Sequence, residues 1–569
     1  MSAQRKRTKI EQVNVLYDLF DLPTAFHKAG LVGLLLSIQS LKQRRILKEE
    51  DVNYELTPSA LEIDFTESLL QTLMDDLYDA REVDVAVKNK WQGAKTVREP
   101  TPAETEAGNR YVYRVIQPMG NVLCELYPDE DGLWLKMWRD MLWSIPRGRP
   151  TTREPYKERA EGKPCKEGPR GWQYLLKVHA ARAKGESFVA EISSALLPGA
   201  QAANAEGVPF AGRAEENLLL HFWPLTVLLF VPRRVERDGS TDFAGYTVAV
   251  PEVSDLGEFI GDFANLLHEL STDAQGYRPA EAVIDIAAEG GLAFFDYLAR
   301  VTGLSMESGE LRFSVAGVEY LHLVKVGNNV KTMAAGRISP NRELLDAYRE
   351  LVSPDTRRFR VRHPLVRRGL LMALLDDEPW YRPFGEMFST YQSRIFLRRP
   401  RESDETTEKR GRHFATDAAT KLSEETSQFV DSLRRIETMP DTERPATPLP
   451  VIVNRVVRNY LMDRTGDKSG VKLDNYKAAT GEVDYKAVPP EFNETKRKLG
   501  ESLFLEFRSR KDQAFVDHFA ATFFSVRQRL NEGDRLQLAD ALLNASHAGD
   551  TSLRDDLKTL TLLSLSANS

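Results

Sequence analysis

The chain has 569 residues, more than one hydrophobic core can organise and enough for roughly three or four domains. It is 42% hydrophobic and 28% charged, ordinary for a globular protein, and its net charge of -7 argues against an all-over nucleic-acid coat while leaving room for a local basic groove. Its two cysteines, Cys124 and Cys165, exclude a disulfide framework and a four-cysteine zinc site and suit a reducing cytoplasm.

No signal-peptide cleavage pattern follows the basic start "MSAQRKRTK". "AFHKAGLVGLLLSIQSLKQ" (25–43) is apolar nearly all round and predicts a buried helix. Short strands follow in "NYELTPSALEIDF", then a helix with Leu69, Leu73 and Leu77 at helical spacing. "YVYRVI" and "VLCELY" read as strands and "DGLWLKMWRDMLWSI" as a helix. The segment 144–172, "SIPRGRPTTREPYKERAEGKPCKEGPRGW", reads as a long stiffened loop: five Pro, four Gly, and eight Lys or Arg against four Glu. The longest apolar run, "LLLHFWPLTVLLFV" (218–231), is too short to cross a bilayer and contains His221 and Pro224, so a buried strand pair or bent strand is expected, with no membrane segment. Strands are expected at 245–250 and 311–326, and helices at 341–352 and 365–375. Residues 398–413 are almost all charge and 438–450 hold four prolines, so both read as linkers, with a helix at 416–437 between them. Beyond them Leu499, Leu503 and Phe507, then Phe515, Phe519, Phe523, Val526 and Leu530, mark the core face of a helical bundle.

These elements predict an α+β fold: a mixed domain over 1–397 carrying the basic loop, a linker region over 398–450, and an all-α bundle over 451–569. Met439 or Met387 could serve as an internal start, giving products of 131 or 183 residues. A start at Met439 should expose little core, because the helices that follow could close a bundle by themselves.

Familiar catalytic signatures are absent. There is no GxxxxGK[ST] and no GxSxG; His268–Glu269 lacks the second histidine of HExxH. Asp129, Asp131 and the Asp376–Glu378 cluster are the acids on which a stand-alone metal-dependent nuclease could be built. Positive charge is concentrated instead. Arg147, Arg149, Arg153, Lys157, Lys163 and Lys166 lie in the 144–172 segment, and Arg357, Arg358, Arg360 and Arg362 open "RRFRVRHPLVRR"; all can hold a nucleic-acid backbone. "VKVGNNVKTM" has hairpin-turn chemistry, and Asn328, Asn329 and Lys331 at its tip can read base edges and a neighbouring phosphate. Gln201 and Asn204 sit among small residues where backbone could approach a ligand closely, and are further candidates for base readout.

"LPTAFHKAGLVGLLL", "GKPCKEGP", "GAQAANAEGVPFAGRAEENLLLHFWPLTVLLFVP" and "PEVSDLGEF", spread over 22–259, resemble the large subunit of the type I CRISPR Cascade complex, in its MYXAN, type I-B-like branch. The resemblance implies a non-catalytic, cofactor-free cytoplasmic subunit of an RNA-guided antiviral defence complex. Its partners would be a guide RNA (crRNA), double-stranded target DNA with its displaced strand, and the backbone, 5′-handle-capping and small Cascade subunits. It would sit near the guide's 5′ end, recognise the protospacer-adjacent motif (PAM) in duplex DNA and aid R-loop formation, after which a helicase-nuclease is recruited. The C-terminal bundle would resemble the small subunits, with Arg455, Arg458, Lys496, Lys498 and Arg510 facing the displaced strand. A protein–protein scaffold, including one in a CRISPR-associated transposon, is the other reading.

Overall fold

The computed structural model describes residues 10–129, 131–200, 210–302, 314–327, 329–352, 361–397, 405–435, 446–477, 483–484, 487–546 and 551–569, with backbone alone at 405–412 and 435. The chain forms two compact units, 1–233 with 243–345 and 234–242 with 346–569. The first is mixed α+β and the second is essentially helical.

In the first unit, β1 (Gln12–Asp18), β2 (Asn53–Leu56) and β3 (Ala60–Thr66) make an antiparallel sheet with β3 in the middle. The alternating side chains of β1 and β3 put Val13, Val15, Tyr17, Leu61, Ile63 and Phe65 into the core. Helix α1 (Ala25–Gln43) is buried almost all round, as its composition predicts. Its Gly30 and Gly33 press against the backbone at Leu219 and Phe222, where an added Cβ would lie 2.2 and 2.4 Å from carbonyl oxygens. Helix α2 (Glu67–Leu77) is capped by the Thr66 hydroxyl and leads into the hairpin of β4 (Ala80–Val87) and β5 (Tyr111–Pro118), with α3 (Pro102–Glu106) between the strands.

Two expectations fail nearby. "VLCELY" is not a strand: Pro118 ends β5, and Gly120 in the left-handed region (φ 68°) starts helix α4 (Asn121–Leu126). The run 218–231 is not a strand pair. Its first half winds into 3₁₀ turns, Leu218–His221 and Trp223–Leu225, before β8. Pro224 cannot donate to a ladder, and the turns pack on α1 through a Phe26–Trp223 edge-to-face pair at 5.0 Å.

Helix α5 (Leu133–Ser144) follows, then α6 (Glu154–Ala160) and α7 (Glu167–Arg182); β6 (Val189–Glu191) pairs with β7 (Ala211–Arg213), and α8 (Ala214–Asn217) precedes the turns. The main sheet runs β13–β8–β10–β14–β15, with β9 beside β8. Its strands are β8 (Leu228–Val235), β9 (Thr241–Phe243), β10 (Tyr246–Val253), β13 (Val283–Ile284), β14 (Val315–Val326) and β15 (Asn329–Ile338); β11 (Ala274–Gln275) and β12 (Arg278–Pro279) form a separate short ladder. Helices α9 (Leu256–His268) and α10 (Glu289–Val301) belong to the same unit. The long β14–β15 hairpin pairs Val324 with Lys331 and Val326 with Asn329, and Gly327 takes the positive φ (62°) its turn requires.

Helices α11 (Arg342–Val352), α12 (Pro364–Asp376), α13 (Pro383–Thr390), α14 (Glu405–Arg435), α15 (Leu449–Ser469), α16 (Pro490–Ser509), α17 (Asp512–Phe523), α18 (Glu532–Ser546) and α19 (Thr551–Asn568) complete the chain. In the second unit α19 is the hub, buried continuously from Leu557 to Ala567 apart from Lys558, and touches α13 through α18. The Phe515–Phe519–Phe523–Val526–Leu530 stripe is buried as expected. The charged stretch read as a linker instead enters α14, which buries Phe414, Ala415, Ala418 and Leu422. The region 364–397, grouped with the mixed domain on sequence, belongs to this helical core: Leu365, Phe384, Met387, Phe388 and Phe396 cluster with Phe504 and Leu562. In the full chain the last five helices therefore share one core with 364–397. No helix among the described residues is long and apolar enough to cross a membrane.

Candidate nucleic-acid interface

The basic segment is folded, not a loop. A 3₁₀ turn (Pro150–Arg153) and α6 each begin with a proline in the first turn, where its missing N–H costs nothing, and α7 begins at Glu167. Buried Tyr156, Cys165 and Trp172 pin it down. Burial pushes the Cys165 thiol up to about 12.

Its cations divide into two kinds. Arg147 is buried; its Nη2 donates to the Tyr78 hydroxyl at 2.8 Å and its guanidinium lies 5.4 Å from the Tyr78 ring. Arg153 stacks on Trp143 and donates to the carbonyls of Arg147 and Trp143. Arg159 donates to the Asp75 and Lys163 carbonyls. These three hold the fold together. Lys157 is exposed; Lys163 pairs with Glu161 at 2.7 Å, Lys166 with Glu158, and Arg170 with Glu167 at 3.6 Å. The lysine ammoniums stay largely in water; the Lys163–Glu161 pair is exposed and worth little, so a phosphate can take over Lys163 cheaply, whereas Lys166 also covers the buried Glu158 carboxylate.

The β14–β15 hairpin meets this segment. Arg149 Nη2 donates to Asn329 Oδ1 at 3.4 Å, and Lys325 Nζ donates to the Gly148 carbonyl at 3.1 Å. Lys331, two residues beyond Asn329, shares its face of the strand and is exposed. The basic segment and the hairpin therefore touch, through Gly148 and Arg149 on one side and Lys325 and Asn329 on the other. Lys325, the penultimate residue of β14, was missed; a lysine in a strand gives no sign of what it reaches. Gln201, Asn204, Asn328, Arg357, Arg358 and Arg360 lie outside the described residues, as does Met439.

In the second unit Arg362 is exposed, and its backbone N–H is bound by the Asp417 carboxylate at 2.8 Å. Arg455 is ion-paired to the buried Asp534, which makes it a structural residue. Lys498 pairs with Glu494 at 2.7 Å, Lys496 is half-buried, and Arg458 and Arg510 are exposed.

The acids considered for a metal are dispersed. Asp131 is bound by Arg139 at 2.6 Å, and Asp377 caps α12 in the left-handed region (φ 51°) while Glu378 faces Arg382. Among the described residues no three His, Cys, Asp or Glu side chains gather as a metal site.

Two family models match the chain: the type I-B CRISPR Cas8b N-terminal domain over residues 52–308 and the type I-B CRISPR Cas8b C-terminal domain over residues 315–568. No curated protein matches it.

Proposed function

The chain belongs to the type I-B CRISPR Cas8b family, the large subunits of Cascade effector complexes, and from that premise we propose that it grips nucleic acid through the joined surface of the 147–170 segment and the β14–β15 hairpin. In this reading the subunit sits near the guide RNA 5′ end, recognises the protospacer-adjacent motif in duplex DNA and helps open the R-loop. It does so without a catalytic site of its own, in the cytoplasm. The lysines hold backbone phosphates, and the Asn329 amide with Lys331 faces the flanking base pairs. Exposed Arg458, Lys498 and Arg510 on the helical unit follow the displaced strand, and a helicase-nuclease is recruited once the strand is out.

One observation supports the proposal: Arg149 and Gly148 contact Asn329 and Lys325, so the amide proposed to read bases lies against the basic segment. The test is duplex binding by the assembled complex across a salt series. Replacing Lys157, Lys163 and Lys166 with Ala is expected to weaken every sequence alike and flatten the log–log salt slope by about 0.9 per lost contact. In the same titrations Asn329→Ala is expected to lose about 1–3 kcal/mol of discrimination at one flanking base pair while non-specific binding survives. An unchanged slope in a folded triple variant overturns the proposal.

A further inference from the structure

A cavity of about 250 Å³ opens in the first unit, walled by the end of α2, the basic segment, the start of α7, the stretch 190–196 and the residues from Ala214 to His221. Arg147 lines it. This guanidinium is more than nine-tenths buried, its Nε has no hydrogen-bond partner, and among the described contacts it forms no ion pair with a carboxylate. Taking such a charge out of water costs several kcal/mol unless an anion compensates it; Tyr78 and Tyr156 offer neutral hydroxyls, and the Glu167 carboxylate on the same wall, which also faces Arg170, supplies part of the compensation. Arg170, on the same wall, lies over the Tyr174 ring at 5.7 Å. Its partner Glu167 stands 3.6 Å away, and the other carboxylate, Glu191, is exposed. His221 hydrogen-bonds the Tyr78 hydroxyl at 2.6 Å; burial, with the Arg147 and Arg170 charges beside it, pushes its imidazole down to about 3, so it lines the cavity as a neutral group.

We propose that this cavity binds a single nucleotide, its phosphate between Arg147 and Arg170 and its base against Tyr174, Leu175 and Leu218. The volume falls just below that of sites for drug-sized ligands, which suits one nucleotide and excludes a stacked run. Two guanidiniums supply the bidentate donors a phosphate prefers, and a tyrosine ring supplies a stacking face. The inference rests on the nucleic-acid reading above but makes a separate demand, because a backbone-gripping surface needs no pocket. The nucleotide can be free or can be a base turned out of a bound single strand.

The experiment titrates the full-length protein with nucleoside 5′-monophosphates, the corresponding nucleosides and inorganic phosphate. The monophosphates are expected to bind, and nucleoside or phosphate alone at least about tenfold more weakly. Arg170→Gln removes a charge-assisted donor and Ala195→Trp fills the cavity from its half-buried wall; each should weaken monophosphate binding about tenfold or more with thermal unfolding unchanged. A single-stranded oligonucleotide carrying 2-aminopurine then names the source. Brightening on binding that Ala195→Trp abolishes means an extruded base, and constant fluorescence means a free nucleotide. Absence of monophosphate binding at about 1 mM, or binding indifferent to both variants, overturns the site. If the salt-slope test succeeds while the monophosphates fail, the pocket is wrong and the interface stands; monophosphate binding with an unchanged salt slope gives the reverse.

Discussion

His27 shows what a buried titratable residue does to stability. It lies in α1, 2% exposed, with Nδ1 2.8 Å from the Thr24 hydroxyl and Nε2 unpartnered. Burial pushes its imidazole down to about 4. The unfolded chain, with an ordinary histidine near 6.5, therefore takes up the proton first. The stability this residue contributes is complete above pH 6.5 and is lost as pH falls toward 4, by about 2 kcal/mol between pH 7.5 and 5. Urea midpoints of wild type and His27→Asn at the two pH values check this, and a parallel decline in both proteins would refute it. The same scale limits what composition reveals. Arg147 and Lys157 count equally toward local charge, yet one is clamped under Tyr78 and the other stands in solvent. The difference is set by Tyr78, 69 residues away, so no local pattern announces it.

At the scale of elements, period and composition carried most of the information. The all-apolar pattern of α1, the phenylalanine stripe of the C-terminal region and the Gly-Asn-Asn turn each produced the expected element, because each is decided by burial pattern or backbone freedom near at hand. "VLCELY", the 218–225 turns and the 144–172 segment went otherwise, because neighbours decide them: Gly120 turns under Trp138, Trp223 packs on Phe26, and Tyr156 packs on Tyr78. The meeting of hairpin and basic segment was not legible for the same reason, since it joins residues about 180 positions apart. The close approach of α1 to the 3₁₀ turns predicts opposite outcomes for two helical glycines. Gly30→Ala would push a methyl into the Leu219 carbonyl and should destabilise by about 1–3 kcal/mol. Gly261 in α9 has no atom within 4 Å of an added Cβ, and Gly261→Ala should stabilise by about 0.5–1 kcal/mol. Denaturant midpoints for both variants measure the contrast; equal signs would mean that α1 can draw back from the turns.

At the scale of the whole molecule, the question is where the helical core begins. An independent C-terminal product starting at Met439 would retain α15 to α19 and lose the helices before them. In the full chain Phe388 and Phe396 pack on Phe504 at 5.6 and 6.1 Å, Phe396 on Phe414 at 4.8 Å, and Arg382 and Tyr381 bind the Asp556 carboxylate on α19. Truncating a buried phenylalanine costs about 3–5 kcal/mol, so losing three of them approaches the whole stability of an ordinary domain, about 5–15 kcal/mol. Met387 fares no better as a start, because it is a buried residue within α13 and the cut removes α12. A fragment of residues 346–569 keeps these contacts and should unfold in one cooperative transition, whereas residues 439–569 should melt without one and bind a hydrophobic dye. For the same reason, mass spectrometry of complex made from the untagged gene should find the full-length chain and no 131-residue species. A monomeric 439–569 fragment with a sharp melting transition would show that the last five helices close a core without α12 to α14, and would return the small-subunit comparison to them as a separable piece.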